Sequence, residues 1–227
     1  MDEFVLAVDL DGVCADHAAA FAAVVAAERG IDPAALGPQQ TWNFHEWGLS
    51  DDDFDRLHRG AVLEHRMFRD MPVVAGAAES LWRLSDAGVW IRIVTHRLYA
   101  NWGHAIAVGD TVAWLDAVGI PYRDLCFLGT KPAVEADLYV EDAPHNLAEL
   151  AAAGNAVVIF DQPYNRDVPG RRAVGWSEVE AMVTEARLAR GQAVQAPLPL
   201  AHAAQERLRT QIGRGRRAQP GAGPADE

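Results

Sequence analysis

The chain has 227 residues, 50% of them hydrophobic, with 20 basic against 32 acidic side chains and a formal net charge of -12. That length buries one substantial core with room for a small inserted lobe. The negative balance excludes a nucleic-acid polymer as ligand, because gripping a phosphate backbone takes a cationic surface. It leaves a small phosphate ester open, since such a ligand needs only a local cation.

Cys14 and Cys126 are the only cysteines, too few for a disulfide framework and without metal-type spacing, which fits a reduced, cytoplasmic setting. The opening Met1-Asp2-Glu3-Phe4 is acidic and lacks the basic region of a secretory signal. No stretch approaches the ~18 uninterrupted apolar residues of a membrane helix. A soluble protein without membrane contact is expected.

Phe4 to Val8 is an apolar run of the length of a parallel strand buried on both faces, and it stops abruptly at Asp9. Asp9 and Asp11 face the same way in extended backbone, and Gly12 lets the chain turn away. Two acids at the end of a buried strand are costly unless a cation lies between them. A hard, oxygen-seeking ion such as magnesium is the simplest choice. Asp and Gly after a strand are also ordinary turn chemistry, so this motif gains weight only from the polar ends of the later strands.

Asp16 to Arg29 reads as an alanine-rich helix, capped by Asp16 and stopped by Gly30. Between Ile31 and Gly60, breakers at Pro33, Gly37 and Pro38 alternate with Trp42, Phe44, Trp47 and Phe54. Residues 15–69 are therefore expected to form a small, mostly helical cap inserted after the first strand. Its aromatics either stack on a planar ligand or fill the cap's own core. Pro72 and Gly76 mark a turn, Ala77 to Ala87 a helix with Leu81, Trp82 and Leu84 inward, and Val89 to Val94 a second strand closing on Thr95, His96 and Arg97. Open parallel sheets collect their ligands at such strand ends, where a hydroxyl and backbone N–H groups can hold a phosphoryl oxygen.

A helix over Asp110 to Val118 and a short strand over Leu125 to Leu128 precede Gly129, Thr130 and Lys131. Leu138 to Val140 makes a brief buried strand ending in Glu141 and Asp142, a second acidic tip that points to a shared cation site. Asp137, at the other end of that strand, falls on the opposite side of the sheet. A helix over Asn146 to Gly154 and a last strand over Ala156 to Phe160 come next, then Asp161, Tyr164, Asn165 and Arg166, which either border the pocket or form a turn, the turn being favoured, and a closing helix from Trp176 to Arg190. From Gly191 onward Pro, Gly, Ala and Arg dominate, predicting a tail, residues 191–227, with little structure beyond a helix at Leu200 to Ile212.

Taken together, DLDGV, IVTHR, the Gly-Thr-Lys turn, YVEDAPHN and FDQPYNR resemble the 5'(3')-deoxyribonucleotidase family of the haloacid dehalogenase-like (HAD) superfamily, over Phe4 to Trp176. The resemblance implies an α/β, Rossmann-like core, residues 1–14 and 70–190, with a central parallel sheet flanked by helices and the helical cap inserted after its first strand. It implies magnesium-dependent removal of phosphate from deoxyribonucleoside monophosphates, a small-molecule partner, through an aspartyl-phosphate. Asp9 would be the nucleophile and Asp11 the general acid and base. Thr95 and Lys131 would hold the phosphoryl oxygens, with His96 and Arg97 beside them. Asp9, Asp142 and the main-chain carbonyl of Asp11 would ligate the metal, with Glu141 acting through water or by holding Lys131. Glu141 stands where the family has Asp, and His96 where a smaller residue is usual; the second change bears on nucleotide preference. A homodimer is left open. Two other readings remain: a phosphatase of the same chemistry for a sugar phosphate or biosynthetic intermediate, and a non-catalytic binding or regulatory protein. A panel of phosphate esters separates the first, and magnesium-dependent hydrolysis of an aryl phosphate the second.

Overall fold

The computed structural model describes residues 3–98 and 103–192. Strand β1 (Phe4–Val8) is followed by four helices, α1 (His17–Arg29), α2 (Asp51–Leu63), α3 (Met67–Asp70) and α4 (Ala77–Asp86), before β2 (Val89–Thr95) returns to the sheet. Then come α5 (His104–Val118), β3 (Asp124–Phe127), β4 (Leu138–Glu141), α6 (Pro144–Ala152), β5 (Val157–Phe160), β6 (Arg171–Ala173) and α7 (Trp176–Ala189). All pairings are parallel, in the order β3-β2-β1-β4-β5-β6.

That order is Rossmann-like, and it reverses at β1: successive strands run one way through β2 and β3, the other way through β4 to β6. The loops leaving β1 and β4 therefore part around a crevice at the carboxyl edge, where doubly wound sheets bind ligands. Leu6 sits level with Ile91 on one side and Leu138 on the other, so one sheet face stacks Leu6, Val8, Ile91, Ile93 and Val140 into a continuous core with Leu81, Leu84, Val179 and Val183 of α4 and α7. The opposite face buries a thinner cluster, Ala7, Val94, Tyr139 and Leu150, the last from α6. The same apolar core continues into the insertion through Phe21, Phe44, Trp47 and Phe68. Arg66 clasps that insertion to α5 with two 2.6 Å bonds to the buried Asp110.

Local signals act as expected at several helix ends. The Asp16 carboxylate accepts from Ala19 N–H at 2.9 Å, and Gly30 closes α1 in the left-handed conformation at φ 64°. The structure also departs from expectation. Helix α5 begins at His104, ahead of the expected start at Asp110, and passes through Gly109. Glycine costs a helix only about 1 kcal/mol, and burial of neighbouring Ala107 offsets it. Helix α6 starts at Pro144, where a fixed φ and a missing N–H suit a first turn. The short edge strand β6 has no signal of its own in the sequence; its three residues form only because β5 offers them a ladder. Asp137 lies away from the crevice, accepting from Val5 N–H at 2.7 Å. No helix among the described residues is long and apolar enough to cross a membrane. Cys14 and Cys126 are free. The expected helix at Leu200 to Ile212, with the tail beyond 192, lies outside the described residues.

Candidate active site

Asp9 comes directly after β1, its N–H donating to the Val140 carbonyl at 3.1 Å, so the ends of β1 and β4 are tied together. The chain then folds back tightly, with the N–H groups of Cys14 and Ala15 both donating to the Leu10 carbonyl, at 2.8 and 2.7 Å. Gly12 is required here twice over: its φ is +80°, and a Cβ on it would land on the Asp142 carboxylate.

Lys131, just after β3, extends a fully buried side chain behind the floor of the crevice. Its ammonium donates to Asp9 Oδ1 at 2.5 Å and also to Glu141 Oε2. Glu141 spends its other oxygen on the N–H groups of Asp142 and Ala143, at 2.9 and 2.8 Å, and takes a further bond from Asn146. Burial pulls the Glu141 carboxyl upward, but Lys131 and these donors outweigh it and hold it ionised. Asp142 is shifted the other way, well above the usual carboxylate range, by burial and by the charges of Glu141 and Asp9. Burial likewise raises Asp9, with Lys131 opposing.

Three carboxylate oxygens from Asp9, Glu141 and Asp142 lie within 4.8 Å of one another, against one ammonium. Asp142 Oδ1 is buried and has no hydrogen-bond partner. A surplus of negative charge, hard oxygen donors and an orphaned carboxylate oxygen fit a divalent cation such as magnesium. Because both Glu141 oxygens are already engaged, the free donors are those of Asp9 and Asp142.

Thr95 ends β2 in full burial, its hydroxyl oxygen accepting from Arg97 N–H at 3.4 Å. Arg97 does not point openly into the crevice. Its guanidinium makes a paired contact with Asp11, at 3.0 Å to Oδ2 and 2.7 Å to Oδ1, bonds Thr111 at 3.1 Å, and stacks over Phe68 at 4.3 Å. Burial pushes the Asp11 carboxyl upward, yet Arg97 wins and holds it below its ordinary value. His96 is half-buried, with its Nε2 shielded and without a partner.

Above these groups opens a cavity of about 800 Å³, lined by Asp9, Asp11, Thr95, His96, Arg97 and Asp142 below and by His17, Phe44, Phe54, His58 and Trp42 of the insertion above. Lys131 and Glu141 sit behind its wall.

The comparisons with known proteins agree with this geometry. A family model described as "5' nucleotidase, deoxy (Pyrimidine), cytosolic type C protein" matches residues 3–189. The chain belongs to that 5'-nucleotidase family. It is 42% identical over 185 residues to a Chlorobaculum tepidum protein named "Putative 5'(3')-deoxyribonucleotidase", covering 80% of this chain and 91% of that one. A Bordetella pertussis protein of the same name is 29% identical over 180 residues, covering 74% and 89%. Among solved structures, a HAD family hydrolase from Deinococcus radiodurans superposes with a TM-score of 0.55 at 21% identity, covering 82% of this chain and 96% of that one, which shows the HAD fold.

As a 5'-nucleotidase-type phosphatase, the chain also brings to its crevice polar groups from the run after β5, for which the sequence favours a turn. Tyr164, assigned to a turn, donates its hydroxyl to Asp142 Oδ2, and Asn165 Nδ2 donates to the Asp142 carbonyl at 2.8 Å. Gln162 Nε2 reaches the Gly12 carbonyl at 2.6 Å. Their signals were the FDQPYNR run and position: they come after β5, a fifth strand whose carboxyl end meets the crevice. Asp161 and Arg166 stay with the turn, Asp161 pairing with Arg172 at 2.9 Å. His17 and His58, two groups without a sequence signal, face each other through their Nε2 atoms at 3.1 Å.

Proposed function

We propose that this family member is a magnesium-dependent phosphomonoester hydrolase that works through an aspartyl-phosphate and acts on deoxynucleoside or nucleoside monophosphates. The observation that carries the reading is Asp9 itself. One carboxylate oxygen is fixed by Lys131 and the residue borders a cavity large enough for a nucleotide, with the orphaned oxygen of Asp142 beside it.

Asp9, Asp142 and the main-chain carbonyl of Asp11 would hold magnesium, whose charge offsets the repulsion between a carboxylate nucleophile and a phosphate. Asp9 Oδ2 attacks phosphorus in line as the ester P–O bond breaks, and Asp11 gives its proton to the departing oxygen. Asp11, now a carboxylate, takes a proton from water; the water oxygen attacks phosphorus, the bond to Asp9 breaks, and inorganic phosphate leaves. The Arg97 pair favours the ionised Asp11 and so suits the second step. For the first, Asp11 must let go of Arg97 and carry a proton.

Lys131, with the Thr95 hydroxyl, is assigned to the phosphoryl oxygens, and His96 borders them from the cavity wall. Arg97, expected in the same group, contributes through Asp11, the carboxylate it already holds. Glu141 keeps Lys131 charged and in place. Residues 15–69 act as the cap: they exclude water and, through their aromatic wall, choose the leaving group. Cys14 and Cys126, left free, support a cytoplasmic setting.

A panel of nucleoside monophosphates, sugar phosphates and an aryl phosphate, assayed for phosphate release with and without magnesium, tests the reading. The expected result is magnesium-dependent turnover, fastest on the nucleotides. A sugar phosphate turned over faster than every nucleotide would overturn the substrate assignment, and no release from any ester would overturn the activity.

A further inference from the structure

We infer that Tyr164 is a positioning residue for the cation site: by occupying one oxygen of Asp142 it turns the other toward the metal. The inference rests on the proposed reading of Asp142 as a ligand and extends it to a residue outside the acidic cage.

Asp142 is pinned at its backbone but not, by itself, at its carboxyl. Asn165 Nδ2 bridges the carbonyls of Asp142 and Phe160, both at 2.8 Å, and Arg172 in turn holds Asn165 with bonds of 2.6 Å to Oδ1 and 2.9 Å to its carbonyl. None of these touches the carboxyl oxygens. Rotation of an aspartate carboxyl about its last torsion is broad and roughly two-fold, so the backbone alone leaves the oxygens free to exchange. The Tyr164 hydroxyl removes that freedom. It donates to Oδ2, while Oδ1 remains buried without any partner.

A buried carboxylate oxygen left bare beside a saturated one has an obvious use as a metal donor, since burial without a partner is otherwise costly. The Tyr164 hydroxyl also lies close to the space a Cβ on Gly12 would fill, so the same residue crowds the Asp9–Asp11 loop against Asp142. Trp42 meets the Tyr164 ring edge-on, 5.3 Å between centroids, while the hydroxyl donates to Asp142.

That separation makes the inference testable with the full chain and magnesium chloride alone. Tyr164→Phe keeps the ring and loses the donor. By calorimetric titration its magnesium Kd should rise about tenfold over wild type, the low end of what such supporting contacts are worth. Turnover of an aryl phosphate should return to within about threefold of wild type once magnesium is raised to saturation, because the ligand is displaced rather than removed. The melting temperature without magnesium should stay within about 3 °C. Trp42→Ala, which strips the ring contact from an exposed side chain and spares the hydroxyl, should leave the magnesium Kd within about twofold of wild type.

Equal magnesium affinity in wild type and Tyr164→Phe overturns the inference. So does a large loss of stability with the magnesium Kd unmoved, which marks a structural role, or a Trp42→Ala shift as large as that of Tyr164→Phe, which marks packing. If wild type releases phosphate with magnesium but Tyr164→Phe binds the ion normally, only the role of Tyr164 falls. If wild type itself neither binds magnesium nor releases phosphate, the functional reading falls with it.

Discussion

Two halves of the cavity are built on opposite principles. Below, the carboxyl edge of the sheet gathers Asp9, Lys131, Glu141 and Asp142 in near-complete burial, a set of charges compensated by their contacts with one another and by bonds from the Asp142 and Ala143 N–H groups, Asn146 and Tyr164. Above, the insertion presents rings: His17 against Phe44 at 6.1 Å, Phe44 against Phe54 at 6.0 Å, Phe54 against His58 at 5.4 Å. The lower half tolerates almost no change because each charge needs the others. The upper half mixes rings with polar side chains such as Asp55 and Arg59, none of which is locked to the buried charges below, so its shape can vary without disturbing them.

The most drastic way to test that contrast is Asp9→Asn. It keeps the shape of the site and removes the proposed nucleophile, so turnover should fall by at least about a thousandfold. Retention of more than a few per cent of activity in a clean preparation would refute the assignment. Lys131→Met comes next. It leaves two buried carboxylates unpaired and should cost about 3–5 kcal/mol in a denaturant titration, together with most of the activity; a loss below about 1 kcal/mol would mean that the ammonium is not holding the cage together.

Phe54→Ala addresses the upper half. It trims the aromatic wall and should raise KM for a nucleotide about tenfold while leaving a small aryl phosphate nearly unaffected. An equal effect on both substrates would show that the wall supports catalysis and not choice.

The smallest effect expected is on pH. Burial, with His17 adding to it, pushes the His58 imidazole down from 6.5 to about 3. Above pH 6.5 it is neutral whether the chain is folded or not. As the pH falls below that, the unfolded chain takes up a proton the folded one refuses, so stability is lost toward pH 3. Between about pH 6.5 and 4.5 the loss should be about 2 kcal/mol, and His58→Gln should flatten that part of the profile. An unchanged profile in the variant would put the acid sensitivity elsewhere.

Much of the lower half was legible in the sequence, and the reason is local. An apolar run stopped by Asp9, another by Thr95 and a third by Glu141 and Asp142 announce strands whose carboxyl ends are polar, and parallel strands put those ends on one edge. The upper half was legible only as a composition of aromatics among breakers. Which rings face the cavity and which fill the core depends on how α1 and α2 pack, and Phe44 and Trp47 proved buried while Trp42 stands 42% exposed.

The sequence by itself determined the α/β class, the strand-end residues and the inserted helical segment, because periodicity and strand termini are written residue by residue. Only the tertiary structure decided that Arg97 spends its charge on Asp11, that His17 meets His58, and that Tyr164, far along the chain, steadies Asp142. Each of those is a contact between separate elements, and its geometry depends on strand order and packing, which no local pattern encodes.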